Sequence, residues 1–196
     1  MNFKEQNFSK KVNSEDIKKH RHLQDIRTFD EYMNNVVKYG MKEKEYFHLF
    51  ISLCAKMNFE LKDDQELGCD KDKEFGVCLY SDQVNNMPDF KFLIDNKEIL
   101  IEVKNSKYDL NEFHLKRFQI DNYAEIQEKT RILWVMDCNK NPHFTLLKPS
   151  EIIKSRIWKN PKFGYKEVYC IKKDDCKWFK FEVSNDLKSF ISNEIC

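Results

Sequence analysis

Residues 87–107 read MPDFKFLIDNKEILIEVKNSK. Two short runs rich in apolar residues, DFKFLID and EILIEVK, flank Asp95-Asn96, a pair suited to a tight turn. The pattern predicts a β-hairpin. Side chains alternate along a strand, so Ile99, Ile101 and Val103 point into a core while Leu100, Glu102 and Lys104 point the other way. Pairing the two strands also brings Asp89, at the start of the first, close to Glu102 and Lys104 at the end of the second. Two carboxylates converging beside a backbone carbonyl make an oxygen-rich pocket of the kind Mg²⁺ or Mn²⁺ prefers. Lys104 would orient a nucleophilic water or stabilise charge developing on a phosphate. A solvated hairpin carrying a Glu-Lys pair is the plain alternative.

Working outward, residues 1–40 read as one or two short amphipathic helices, opening at Ser14 and stopping at Gly40. MKEKEYFHLFISLCAKMNF repeats apolar residues at Tyr46, Phe50, Leu53 and Met57, a helical period that puts Glu43 on the apolar face and Glu45 to the side. FELK, FGVCLYS and the two runs of the hairpin then suggest a meander of about three strands. LNEFHLKRFQIDNYAEIQEK reads as one long helix, and RILWVMD as a buried central strand. The tail adds a helix from Pro149-Ser150 and two last strands, KEVYCIKK and KWFKFEVS, joined through DDC. The reading is a mixed α/β single domain with three parts: an extension over 1–40, a core over 41–137, and a C-terminal helix and β-hairpin over 138–196.

The 196 residues suffice for one substantial core. No run of about 18 apolar residues occurs and the N-terminus is polar, so the expectation is a protein with no membrane span or secretory signal, held in the cytoplasm or, if viral, in a host intracellular compartment. Seven cysteines without a C-x-x-C pair suggest reduced thiols, with Cys170 and Cys176 as a weaker zinc alternative. The net charge of +1 hides an asymmetry. Residues 59–102 hold five Lys/Arg against twelve Asp/Glu, and residues 138–196 hold twelve against seven. An acidic centre beside a basic tail suits a metal site served by a polyanion-binding surface, and solvated loops equally well.

Other groups carry less. The five histidines show no paired-ligand spacing and read as surface or edge residues. Four glycines form no phosphate-binding loop. KSRIWKNPKFGYK, around Trp158, interleaves lysines and aromatics in a way that suits a nucleic-acid contact or a solvated helix and turn. Gln119 and Tyr123 lie one helical turn apart, with Lys116 and Glu112 extending the same stripe.

Pro88-Asp89, a spacer of twelve residues and Glu102-Val103-Lys104 resemble the motif of the PD-(D/E)xK nuclease superfamily. Gln119 to Tyr123, on the following helix, looks like the Q-x-x-x-Y motif of its RecB-like and CRISPR-associated exonuclease branch. The resemblance covers about residues 41–137. It implies a restriction-endonuclease-like αβββαβ core and a Mg²⁺- or Mn²⁺-dependent deoxyribonuclease. Asp89, Glu102 and the Val103 carbonyl would hold the metal, Lys104 would activate water, and Glu43 would assist at the metal. Gln119, Tyr123 and Lys116 would bind or position nucleic acid. DNA is the implied partner because the superfamily acts mostly on DNA; restriction-type and junction-type relatives commonly dimerise, which leaves a homodimer open while the sequence itself does not set the oligomeric state.

Two rival readings remain. A cap-snatching type of RNA endonuclease shares the fold and the P-D…E-x-K logic, and would recruit His20 or His22. A module that kept the fold and lost catalysis would serve as a nucleic-acid-binding or partner-docking subunit.

Overall fold

The computed structural model describes residues 10–11, 29–67, 78–79, 87–126, 129–137, 141–161 and 165–195. The expected helix start at Ser14, His20, His22 and most of FGVCLYS lie outside the described residues. In chain order the elements are β1 (Lys10–Lys11), α1 (Phe29–Lys56), β2 (Leu61–Glu66), β3 (Cys78–Leu79), β4 (Phe90–Ile94), β5 (Lys97–Ser106) and β6 (Glu112–Lys116). After these come α2 (Arg117–Ile126), β7 (Thr130–Met136), β8 (His143–Leu147), α3 (Pro149–Ile152), β9 (Arg156–Asn160), β10 (Lys166–Lys172), β11 (Phe179–Lys180) and α4 (Asn185–Ile195). The protein is mixed α/β.

Six strands form the main sheet in the order β11-β8-β7-β5-β4-β2, with β5 and β7 parallel and every other neighbour antiparallel. The expected hairpin forms, with Ile94 opposite Lys97 and Phe90 opposite Ile101. Asp95 and Asn96 both take positive φ, 47° and 62°, as a two-residue turn of the strand-matched hand requires. β7 is buried along its whole length because both its faces are covered. One face packs Phe47, Phe50 and Leu53 of α1 and Leu187, Ile191 and Ile195 of α4 against Ile99, Ile101, Val103, Leu133 and Val135. The other face packs Ile120 and Tyr123 of α2 with Ile132, Trp134, Phe113 and Tyr169.

Four sequence expectations are corrected. First, α1 runs unbroken through Gly40, so residues 29–40 are continuous with the core helix. An interior glycine costs only about 1 kcal/mol, and the good helix formers Met41 to Glu45 continue the pattern beyond it. The helix ends instead at Asn58, whose positive φ of 65° accompanies a Phe59 N–H bond back to the Cys54 carbonyl at 3.2 Å.

Second, the long helix begins only at Arg117, because residues 112–116 are a strand paired with β10. Phe113 and Leu115 alternate into the core with a period of two, a signal masked by the helical run after it. Lys116 and Glu112 therefore do not share a helix stripe with Gln119 and Tyr123.

Third, β10 does not pair with the strand after it. It lies between β6 and β9 in a separate three-stranded sheet, and the basic stretch around Trp158 supplies β9. The C-terminal hairpin is thus β9–β10.

Fourth, KWFKFEVS yields only two strand residues, paired with β8, before α4. Ser184 caps that helix by accepting the Leu187 N–H at 3.1 Å. Of the described residues after 140, β8 and β11 extend the main sheet and α4 packs on its core.

Candidate active site

The register of the hairpin builds the site. Odd-numbered residues of β5 turn their backbone groups toward β4, whereas the Leu100 N–H donates to the Lys129 carbonyl on the β7 side. Carried two residues past the Phe90–Ile101 pair, this register sets Pro88 opposite Val103. Proline has no N–H to give, so the ladder ends there. The Asp89 carboxylate accepts the Val103 N–H instead, at 2.8 Å, and the Val103 carbonyl faces the same edge. Asp89 is itself buried, and its own carbonyl accepts the Leu67 N–H at 2.7 Å. Pro88-Asp89 thus acts as a ladder terminator that places a carboxylate against the backbone of Glu102-Val103-Lys104.

Glu102 is 2% exposed. One carboxylate oxygen accepts from Lys104 and from the Gln119 amide at 2.8 Å, and the other accepts the Tyr123 hydroxyl at 2.8 Å. Gln119 also donates to the Tyr123 oxygen at 3.0 Å. The one-turn spacing of these residues aims both at a single carboxylate. They are held in place by α2, which is pinned to β10: Arg117 pairs with Glu167 at 2.8 Å, and the Tyr169 hydroxyl donates to Asp121 at 2.6 Å. Packing Glu102 this way costs desolvation that an apolar residue at the same place would not incur, and the three donors offset part of it.

Lys104 is part-buried. Burial alone would lower its pKa, but Glu102, Asp89 and Glu43 together raise it well above the ordinary lysine value. Glu43 reaches this field from α1. It stands one turn before Phe47, whose ring stacks on Phe90 at 4.1 Å, next to Asp89. Burial, followed by the charges of Glu102 and Asp89, pushes the Tyr123 phenol far up, so it stays a hydrogen-bond donor. Lys116, at the end of β6, has its pKa lowered by burial, then by the like charges of Lys104 and Lys166.

The structure therefore joins Glu102, Lys104, Gln119 and Tyr123 in one hydrogen-bonded constellation, with Asp89 bonded to the Val103 backbone beside it and Glu43 and Lys116 within its electrostatic reach. Gln119 and Tyr123 contact Glu102 itself, so their role here is to fix its orientation. The donor set, two carboxylates and the Val103 carbonyl at the end of a ladder, is the hard-oxygen chemistry that Mg²⁺ and Mn²⁺ take.

A second cluster escaped the sequence reading, which treated His114 as an ordinary edge residue. Ligand atoms of Glu112, His114 and Cys170 lie within 4.8 Å of one another, because His114 is paired with Cys170 across β6 and β10. Glu112 and His114 are bonded at 2.8 Å, Arg156 sits on Glu112 at 3.1 Å, and Asn160 contacts His114 at 2.9 Å. The guanidinium already supplies the positive charge that Glu112 calls for. Burial raises the Cys170 thiol, and Cys54, Cys170 and Cys176 are not joined in disulfides. Local spacing could not reveal this group, since Cys170 is remote in sequence.

Among the described residues no helix is long and apolar enough to cross a membrane. Compared with known proteins, the chain matches no family model and no curated sequence.

Proposed function

We propose that the protein is a Mg²⁺- or Mn²⁺-dependent nuclease that hydrolyses phosphodiester bonds, with DNA as the favoured substrate. The observation that carries this reading is the convergence of Asp89, Glu102 and Lys104 at the end of the β4–β5 ladder, with Gln119 and Tyr123 bonded to the same carboxylate. The succession α1, β2, β4, β5, α2, β7 fits the order of a restriction-endonuclease-like core, with β6 inserted before α2.

Asp89, Glu102 and the Val103 carbonyl would hold the metal, with Glu43 assisting from α1. A bound divalent ion supplies charge neutralisation at the phosphate and a more acidic water. The chain's own groups do the rest. Gln119 and Tyr123 hold the Glu102 carboxylate in one rotamer, and Asp89 is fixed by the Val103 N–H, so the oxygens are organised before substrate arrives. Lys104, kept cationic by three carboxylates, faces the same pocket. It orients the attacking water and stabilises negative charge on the phosphoryl oxygens.

The test is cleavage of labelled single-stranded DNA, duplex DNA and RNA with Mg²⁺ or Mn²⁺, comparing wild type with Glu102→Ala and Lys104→Ala. Metal-dependent cutting of DNA by wild type, lost in both variants, is the expected result. Cutting confined to RNA transfers the site to the cap-snatching type of endonuclease. An inert wild type, or variants that cut as well as it does, overturns the nuclease reading and leaves a binding module.

A further inference from the structure

We propose that the outer face of the β6–β10–β9 sheet is a platform for an unpaired nucleic-acid strand, on which Lys116 and Lys166 take phosphates and Trp158 stacks a base. The proposal rests on the nuclease reading for the position of the scissile phosphate, and it adds a surface which that reading does not use.

Alternation and register define the face. Phe113 and Leu115 point into the core, so Glu112, His114 and Lys116 point out. Lys116 is paired with Val168, and Val168 with Trp158, so the three form one row across the sheet, while Lys166 is paired with Asn160 in the next. The ring contact of His114 with Trp158, 5.3 Å between centroids, places both on this side.

Neighbouring strands lie about 4.8 Å apart, so the row from Lys116 to Trp158 spans about 10 Å, the reach of a few nucleotides. Lys116 ends β6 directly before α2, the helix that carries Gln119 to Glu102, so the row begins beside the candidate active site. Neither Lys116 nor Lys166 forms an ion pair with a described residue. Lys166, two residues before Val168 on the same face, is the diagonal neighbour of Lys116, so one phosphate can accept from both ammonium groups.

At the far end Trp158 is 40% exposed on a strand whose first four residues are all exposed. A partly exposed indole on the same face as two lysines suits unstacked bases; a duplex keeps its base faces covered.

The experiment is fluorescence-anisotropy binding in EDTA, where no metal-dependent cutting occurs. The probes are labelled oligo(dT) and oligo(rU) of about 12 nucleotides and a duplex of equal length, titrated at several salt concentrations. Trp158→Ala and Trp158→Leu are expected to weaken single-strand binding about ten-fold with an unchanged salt slope, while Trp158→Phe retains most of it. Lys116→Ala and Lys166→Ala are each expected to lower the slope of log K against log salt by about 0.7. Equal responses of the two oligomers assign the platform to either nucleic acid, and unequal ones choose between them.

The proposal is overturned if wild type binds neither oligomer, if the Trp158 variants bind like wild type or lose duplex equally, or if the loss falls on Phe118→Ala, the exposed aromatic of α2, instead. Binding that depends on Trp158 without cleavage under any metal would remove the nuclease reading and leave the platform standing. Cleavage with Trp158 irrelevant to binding would do the reverse.

Discussion

Replacing Tyr123 with phenylalanine removes one oxygen and leaves the ring in its core, and making the change with and without Glu102 separates the bond to Glu102 from the contacts with Gln119 and the Met87 carbonyl. That hydroxyl donates to a buried carboxylate at 2.8 Å, and Gln119 donates to it in turn. A hydrogen bond to a charged buried acceptor contributes about 1.5–3 kcal/mol, and here its loss leaves a carboxylate oxygen in the core short of a donor. For a chain of this size that corresponds to a fall of about 3–12 °C in melting temperature. The assay is equilibrium urea unfolding at pH 7 in EDTA, with Tyr123→Phe measured in wild type and in Glu102→Leu. The cost should be large in the first background and much smaller in the second, where only the contacts with Gln119 and the Met87 carbonyl are lost. A loss below about 0.5 kcal/mol in wild type, or an equal loss in both backgrounds, would refute the claim that Tyr123 acts through Glu102.

Other predictions rest on separate parts of the molecule. Arg131 is buried in β7 and donates to the Glu194 and Thr130 carbonyls, anchoring the end of α4; Arg131→Ala should lower stability by roughly 1.5–3 kcal/mol in urea unfolding. Asn96 holds a φ of 62° in the hairpin turn, so Asn96→Val should cost at least about 1–2 kcal/mol, whereas Asn96→Gly is tolerated. The raised pKa of Lys104 means that its contribution to stability is complete below the ordinary lysine value and fades as pH climbs from there through the folded-state value; the gap in urea midpoint between wild type and Lys104→Met should be flat from pH 7 to about 10 and close above it. Glu112 runs the other way. Its carboxyl is held low by His114 first and then Arg156, so the stability it contributes is present above the ordinary glutamate value and is lost as pH falls through the depressed one, a loss that Glu112→Gln should not show.

The hairpin was legible because its information is local. Alternation in EILIEVK set the two faces, Asp95-Asn96 set the turn, and together they placed Asp89, Glu102 and Lys104 before any long-range contact was known. Gln119 and Tyr123 were legible as a pair for the same reason, though not their target: that Tyr123 donates to Glu102 depends on how α2 crosses the sheet. The errors fall where a distant segment decides. Residues 112–116 are a strand because β10, some fifty residues later, pairs with them. RIWKN is a strand because β10 offers its second edge. Gly40 passed for a stop because its intrinsic cost is visible in sequence and the packing of α1 across the sheet is not. Helix α4 could have been read from Ser184 as a cap with Leu187, Ile191 and Ile195 on one face; the aromatic residues just before it drew attention to a strand instead. The Pro88 device was visible as a dipeptide, but its physical meaning, a ladder deprived of a donor opposite Val103, needed the register.

The nuclease reading stands or falls on whether Asp89 and Glu102 form an ion-binding pocket. The most direct measurement is equilibrium binding of Mn²⁺ to the purified protein, read as loss of the free-ion electron paramagnetic resonance signal, with Asp89→Asn as the comparison. An ion-binding pocket predicts saturable binding by wild type, competed by Mg²⁺ and abolished in Asp89→Asn while the variant remains folded. Mn²⁺ left free by wild type, or bound equally well by Asp89→Asn, would contradict it.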